Sequence, residues 1–334
     1  MTAQSPVLVV TRLDDATADV VIVELGSREV PVIRLDPADF PDAVTVAARV
    51  DVLGLSGTVL TATRVAPLDR VRSVYWRRPR PYAAPAGLDG QDARWCAEQA
   101  RYGLGGILAS LPAAHYVNHP WRNRAAEYKP AQLSAAARCG LRVPPTLLTN
   151  DVEEAQRFIR EHGPTVYKPL YNSDYTDQDG RGLTVWVEEV SSQDLDVGVG
   201  VGVGVGVGVG VGQTMHLFQQ RVDKVADIRL TAIGSKLFAV RIDGSPGLDW
   251  RRHYDDLIYT LIDTPPDVAK AVHDYLEMFG LAYGAFDFGL DASGVWHMYE
   301  CNPNGQFAWF PTTITRQITA ALADQLQHPD RDRR

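Results

Sequence analysis

The chain has 334 residues, 45% hydrophobic and 22% charged, with a formal net charge of −8, which suits folded domains with cores of their own and argues against general nucleic-acid binding. Cys96, Cys139 and Cys301 lie far apart without CxxC spacing, so neither a disulfide framework nor a zinc site is expected. No signal-peptide pattern and no long apolar run occurs, and the expectation is a reduced cytoplasmic protein with no membrane segment.

Residues 1–115 read as a small α/β unit. "PVLVVTRL", "DVVIVEL", "VPVIRL" and "VRSVYWRRP" are expected strands, and "DGQDARWCAEQARYGLGGILASLP" an expected helix with Trp95, Gln99, Tyr102 and Gly106 at helical spacing. Residues 119–144 predict a helix, a break at Pro130, a second helix and a stop at Gly140. "PTLLTND" predicts a strand leading to Asp151 as the cap of the helix "VEEAQRFIREHG". "PTVYKPL" and "GLTVWVEEV" are expected strands around the loop "YNSDYTDQDGR". Residues 197–212 are consecutive Val-Gly pairs; glycine at every second position packs nothing, so a mobile insertion is expected rather than a strand. "MHLFQQRV", "DIRLTAIG" and "KLFAVRID" follow as strands, "TPPDVAKAVHDYLEMFGL" as a helix, and "YGAFDFGLDASGVWHMYECNP" as a hairpin turning at "DASG".

Pairing Leu290 with Val295 in that hairpin sets Asp287 opposite Met298. It places Asp287, Met298, Glu300 and Asn302 on one face, with Cys301, Tyr299 and His297 on the other. Two carboxylates and an amide oxygen form a hard oxygen set that suits Mg²⁺; a thiolate or imidazole metal site would need groups that face away. A solvated polar edge strand is the alternative, but the flanking residues are apolar and aromatic.

No GxxxxGK[ST] phosphate loop is present. In order along the chain come Lys129, Lys168 in "VYKP", the loop "DQDGRGL", "LFQQRV", "DIRLTAIG", "AVRID", Asp287 and "ECNPN". That order resembles the ATP-grasp carboxylate–amine ligases over roughly residues 115–325. "NHPWRNRAAEYKPAQLSAAARCGLRVPPTLLTN", "ECNPNGQF" and "WRRPRPY" are most similar to the peptide-macrocyclising maturases of that family, the microviridin-type or graspetide synthetases.

The resemblance implies an α/β (α+β) ATP-grasp fold behind an N-terminal Rossmann-like pre-ATP-grasp domain (1–115). A central subdomain with a lid (116–218, including the Val-Gly run), a C-terminal subdomain with the magnesium site (219–328) and a frayed tail (329–334) would follow. It implies ATP and Mg²⁺ as cofactors, with Lys129 and Lys168 on the phosphates and Gly180, Arg181 and Gly182 in the lid. Gln219, Gln220 and Val222 would lie beside adenine, Arg229 and Arg241 near the γ-phosphate, and Asp287, Glu300 and Asn302 on magnesium. A ribosomal precursor peptide, leader plus acidic core, would be the partner, and the family tends towards homodimers. Its acidic core would meet the clusters holding Arg77 and Arg78 and Arg251 and Arg252, with Asn304 and Gln306 as further contacts, and a carboxylate near Asp249 or Asp255 or the substrate's own phosphate as base. No nucleophilic Ser or Cys is required, so Cys301 is expected to be structural. Another ATP-grasp ligase acting on a small molecule or protein terminus, or a non-catalytic ATP-binding protein, are the alternatives.

Overall fold

The structure is a computed structural model that describes residues 5–171, 175–176, 182–183, 186–196, 210–245, 247–252 and 257–329. It opens with β1 (Val7–Val10), wholly buried, and then α1 (Ala16–Ser27). The stretch expected as the strand "DVVIVEL" is helical. Asp15 caps α1 by accepting from the Ala18 N–H, and Thr17, Ala18, Val21 and Leu25 are buried at helical spacing. The β-branched run misled because one local cap and one buried stripe outweigh propensity.

β2 (Val32–Leu35), β3 (Thr45–Asp51), β4 (Gly54–Leu60), β5 (Val65–Pro67), β6 (Ser73–Trp76), α2 (Gly90–Leu108) and β7 (His115–Val117) follow. A four-stranded parallel sheet in the order β2-β1-β6-β7 carries the domain, as expected of a Rossmann-like unit. β3, β4 and β5 form a separate antiparallel sheet that the sequence did not disclose. β7 pairs parallel with β6 and so belongs to the first sheet.

α3 (Pro120–Ala126) and α4 (Lys129–Arg138) are the expected helix pair, with Pro130 in the first turn of α4 and Gly140 at φ +93° beyond its end. Then come β8 (Thr146–Thr149), α5 (Val152–His162), capped by Asp151, β9 (Thr165–Lys168), β10 (Tyr175–Thr176), β11 (Gly182–Leu183), β12 (Glu188–Val190) and α6 (Ser192–Asp196). "GLTVWVEEV" is thus two short strands: β11 pairs with β10, and β12 with β9. β13 (His216–Gln220) completes an antiparallel sheet in the order β12-β9-β13-β8. Of the Val-Gly run, residues 197–209 lie outside the described residues; Val211 is buried with Phe158 and Phe218.

β14 (Lys224–Ile233), β15 (Lys236–Asp243), β16 (Ile258–Ile262), α7 (Pro266–Phe279), β17 (Tyr283–Asp291), β18 (Trp296–Asn302) and α8 (Thr312–Gln327) build the last unit. Its five strands are antiparallel in the order β16-β15-β14-β17-β18. One face packs against α4 and α7 through Ile228, Leu230, Phe286, Phe288, Met298 and Cys301. The opposite face meets α8 and the N-terminal domain at one end and carries the polar residues at the other. No described helix is long and apolar enough to cross a membrane.

Candidate functional site

The hairpin register differs from expectation. Asp287 pairs directly with Glu300, Leu290 with Trp296 and Phe288 with Met298, so one extra residue, Tyr299, sits in a β-bulge. The bulge changes which side chains share a face: Trp296, Met298 and Cys301 all enter the core. Tyr299 turns towards the pocket beside Glu300 instead of away with Cys301. Asp287, Glu300 and Asn302 therefore do share a face, by direct pairing rather than a diagonal.

Glu300 is bracketed by cations, with Lys129 Nζ 2.9 Å and Arg251 Nη2 3.9 Å away. Burial raises the Glu300 pKa, but Lys129, Arg251 and the Asn302 amide outweigh it and hold it below the usual carboxylate range. Asp287 accepts from Arg229 Nη1 at 2.8 Å, yet burial prevails there and its pKa is raised. Asn302 Nδ2 donates to Glu300 Oε1 at 3.1 Å and to Asp287 Oδ2 at 3.4 Å.

Among the described residues no group of three or more His, Cys, Asp and Glu could hold a metal. A site here would be two carboxylates and the Asn302 amide, turned over so that its oxygen faces in. The donors fit Mg²⁺: all are hard oxygens, and Asp287 Oδ1 is buried without any hydrogen-bond partner.

A cavity runs from these carboxylates beneath the junction of the central and C-terminal units, lined by Lys129, Lys168, Gln219–Val222, Lys224, Asp227 and Arg251. Lys168 ends β9, donates to Gln219 Oε1 at 2.7 Å and lies 4.0 Å from the centre of the Tyr299 ring. Gln219 is buried and donates in turn to Thr146, so its side chain orients Lys168. Gln220 and Arg221 spend their N–H groups on the Pro145 and Pro164 carbonyls, and Val222, whose carbonyl accepts from the Lys224 N–H, follows along the cavity edge.

Sequence reasoning missed Lys224, Asp227 and Tyr299. Lys224 Nζ holds both Asp227 oxygens at 2.7 Å, and burial still pushes the Asp227 pKa up to about 6. The signal was available: Asp227 precedes Arg229 by two on a strand, so the two side chains share the face that Asp287 occupies.

A second, wider cavity adjoins the first and opens towards the N-terminal domain. Arg78, Asn123, Glu127, Tyr171, Arg229 and Asn302–Gln306 line it, and Lys129, Trp250, Arg251 and Glu300 belong to both cavities. Arg251 is anchored to Asp249 at 3.0 Å; burial opposes its charge, but Asp287, Asp249 and Glu300 raise its pKa further. Asp249, so engaged, buttresses Arg251 and is a poor candidate for a free base. Asn304 Oδ1 accepts from Asn123 Nδ2 at 2.8 Å.

Two expected site residues do not take the parts expected of them: Arg241 lies on the other face, and Arg77, at the wall of the wider cavity, is buried. Arg241 is paired with Ile228, on the face that packs against α4 and α7, and it binds Asp243 at 2.8 Å; it cannot approach a phosphate beside Asp287. Arg77 is only 1% exposed and is a strut rather than a free substrate contact. It binds Asp15 and donates to the carbonyls of Asn304 and Gly305, both at 2.9 Å. Arg78, its neighbour, is exposed. Gly180, Arg181, His253 and Asp255 lie outside the described residues, as do the side chains of Gly182's strand and of Arg252.

Cys301 is fully buried in the core, and burial pushes its thiol pKa up, away from the nucleophilic thiolate. Cys301→Ser is expected to keep the fold and the activity, at a cost of about 1 kcal/mol for the buried hydroxyl. A melting curve and a turnover assay check this, and a folded but inactive variant would contradict it.

The family described as the MvdD pre-ATP grasp domain matches residues 6–124. No curated protein sequence matches the chain. The macrocyclase MdnC bound with precursor peptide MdnA, from Microcystis aeruginosa MRC, superposes with a TM-score of 0.82 at 26% identity, over 97% of this chain and 99% of that one. A RiPP-associated ATP-grasp ligase of Chryseobacterium gregarium, in complex with ADP and a leader and core peptide, gives 0.84 at 23% identity over 98% and 97%. The D-cycloserine synthetase DcsG is more distant, at 0.54 and 15% identity over 96% and 99%. The chain has the ATP-grasp fold behind a pre-ATP-grasp domain.

Proposed function

We propose that the chain is an ATP-dependent, ADP-forming peptide macrocyclase, joining Asp or Glu side chains of a ribosomally made precursor to Ser or Thr hydroxyls or Lys amines. It would use Mg²⁺ and act as a cytoplasmic homodimer. The observation that carries this reading is the pair of cavities meeting at Lys129, Trp250, Arg251 and Glu300. One suits a nucleotide, and the other, wide and cationic, suits an acidic peptide; a small-molecule ligase has less need of the second. The likeness to MdnC, which was solved with its precursor, supports the same reading.

Phosphoryl transfer needs positioning and charge neutralisation more than covalent help from the protein. Lys129 and Lys168 supply cations at the phosphates, and the backbone at Gln220 and Val222 supplies the adenine edge. Asp287, Glu300 and Asn302 would hold the metal, which supplies neutralisation of the phosphate oxygens. Arg229 keeps Asp287 in place, and Arg251 stands where the two cavities join, beside the carboxylate to be activated. In the first step a substrate carboxylate oxygen takes the γ-phosphoryl and ADP leaves. In the second, a hydroxyl or amine forms a bond to the acyl carbon, phosphate leaves with the oxygen, and the nucleophile gives up its proton. One water is lost per link.

Incubation with an acidic precursor peptide carrying Ser, Thr or Lys nucleophiles, ATP and Mg²⁺, followed by intact mass, tests the reading. Loss of one water per link supports it, and ADP release without any change in peptide mass would sink it.

Lys168 gives a pH signature. Burial lowers its pKa to about 7, with Lys129, Lys224 and Arg251 adding repulsion against the pull of Glu300. A polyphosphate at Nζ favours the charged form, so binding takes up a proton, and ADP affinity falls as pH rises above about 7. Calorimetry in buffers of different ionisation enthalpy measures that uptake; affinity flat across this range would rule out Lys168 as a phosphate ligand.

A further inference from the structure

Three of the described lysines line the cavity assigned to the nucleotide, and two of them are paired with carboxylates. Lys129 Nζ lies 2.9 Å from Glu300, and Lys224 Nζ holds both oxygens of Asp227. Lys168 is held differently. Among the described residues its Nζ has the Gln219 amide oxygen at 2.7 Å and the centre of the Tyr299 ring at 4.0 Å, with no carboxylate in ion-pair contact. A carboxylate partner would neutralise the ammonium and compete with a phosphate for it. An aromatic face attracts the cation and leaves its charge free to act. Such support matters here because Lys129, Lys224 and Arg251 all repel Lys168.

The sheet is shaped to put the ring there. Side chains at alternate positions share a face, so Gly289 belongs to the face of Asp287, and it lies opposite Asp227 of β14. A Cβ on Gly289 would lie 2.1 Å from Tyr299 Oη, 2.8 Å from Cζ and 3.2 Å from Cε2. The outer end of the ring therefore occupies the space that any side chain at 289 would fill. The bulge turns Tyr299 out of the strict alternation of β18, so that its ring crosses from that edge strand over β17. A ring of the C-terminal unit thus meets a lysine at the end of β9, in the central sheet.

We propose that Tyr299 is a positioning residue for phosphate binding: its ring, seated on Gly289, aims the Lys168 ammonium across the junction of the two units at the nucleotide. Gly289 is the second half of the device, because only a residue without a Cβ leaves the seat open. The proposal rests on the reading of this cavity as an ATP site. A ring that merely lined the cavity would serve the whole nucleotide, base included. A ring that acts through Lys168 serves the phosphates alone.

The test is calorimetry of the full chain with adenosine and, separately, with ADP and Mg²⁺. Tyr299→Leu is expected to weaken ADP about tenfold and to leave adenosine unchanged. Tyr299→Phe, which keeps the ring face, keeps wild-type affinity for both. Gly289→Ala unseats the ring and gives the same loss as Tyr299→Leu, and the two together lose no more than either alone. On a Lys168→Met background, Tyr299→Leu has no further effect. Tyr299→Leu, which fills less of the same space, carries the test if Gly289→Ala does not fold. A Tyr299→Leu chain that binds ADP like the wild type, that loses adenosine in proportion, or that still weakens ADP after Lys168→Met would overturn the proposal, as would a folded Gly289→Ala chain with wild-type ADP affinity. A wild-type chain that binds no ADP would instead sink the ATP-site reading, and the proposal with it.

Discussion

Glu300→Gln gives a folded protein that links peptide on the order of 10³-fold more slowly. The substitution is nearly isosteric and keeps one oxygen, so the hairpin and its bulge remain. What it removes is the charge on which the surroundings converge. Lys129 at 2.9 Å and Arg251 at 3.9 Å are oriented by that carboxylate, and both line the junction of the two cavities. Losing it leaves half-buried Lys129 without its counter-charge and Arg251 with Asp249 alone, and takes one of only two carboxylates from the magnesium set. Both effects fall on the phosphoryl-transfer step, where charge neutralisation is most of the catalysis. Intact-mass kinetics measure the loss. Thermal shift with ADP and Mg²⁺ separates its origin, because the stabilisation that ligand and metal give the wild type should shrink in the variant. A variant that binds both normally and still turns over would remove Glu300 from the site.

The hairpin shows how far the sequence could be read. Alternation of side chains placed Asp287, Glu300 and Asn302 together, and that grouping survives in the structure. The register did not: the bulge lays Tyr299 over Gly289, a contact between strands that no local pattern encodes. The same limit explains α1. "DVVIVEL" carries strand propensity, and only the Asp15 cap and the sheet beneath decide for a helix. Asp227 was legible from its parity with Arg229, but its partner Lys224 was not, because a register irregularity lies between Lys224 and Ala226. Arg241 was misplaced by one position of parity, which on a strand is the whole difference between the site and the opposite face. Periodic features were legible; those made by irregularities or by contacts between distant segments were not.

Arg77 and Arg78 are adjacent identical residues, and the structure assigns them opposite consequences. Arg77→Met should destabilise the chain by about 3–5 kcal/mol, because it leaves Asp15 buried without its partner, which corresponds to a melting point lower by roughly 10 °C. Arg78→Ala should leave the melting point unchanged and raise KM for an acidic peptide several-fold, since that guanidinium is exposed in the wide cavity. The Arg77 loss also reaches the site: its Nη1 bonds to the Asn304 and Gly305 carbonyls hold the loop after β18 against the N-terminal domain. That loop has little slack, since a Cβ on Gly305 would lie 2.6 Å from Arg229 Nη2. Acid dependence gives an independent readout. Burial raises the Asp15 pKa, but Arg77, Thr11 and the Ala18 N–H outweigh it, so the folded value lies below 3.8. Its contribution is therefore complete above the unfolded value and is lost as pH falls through the depressed folded one. Arg77→Met removes that acid-side loss together with the stability at neutral pH, and Asp15→Asn on the same background should recover part of the latter by removing the stranded charge. Unchanged melting of Arg77→Met across pH would mean that the buried pair contributes nothing, and the two arginines would then have to be treated alike after all.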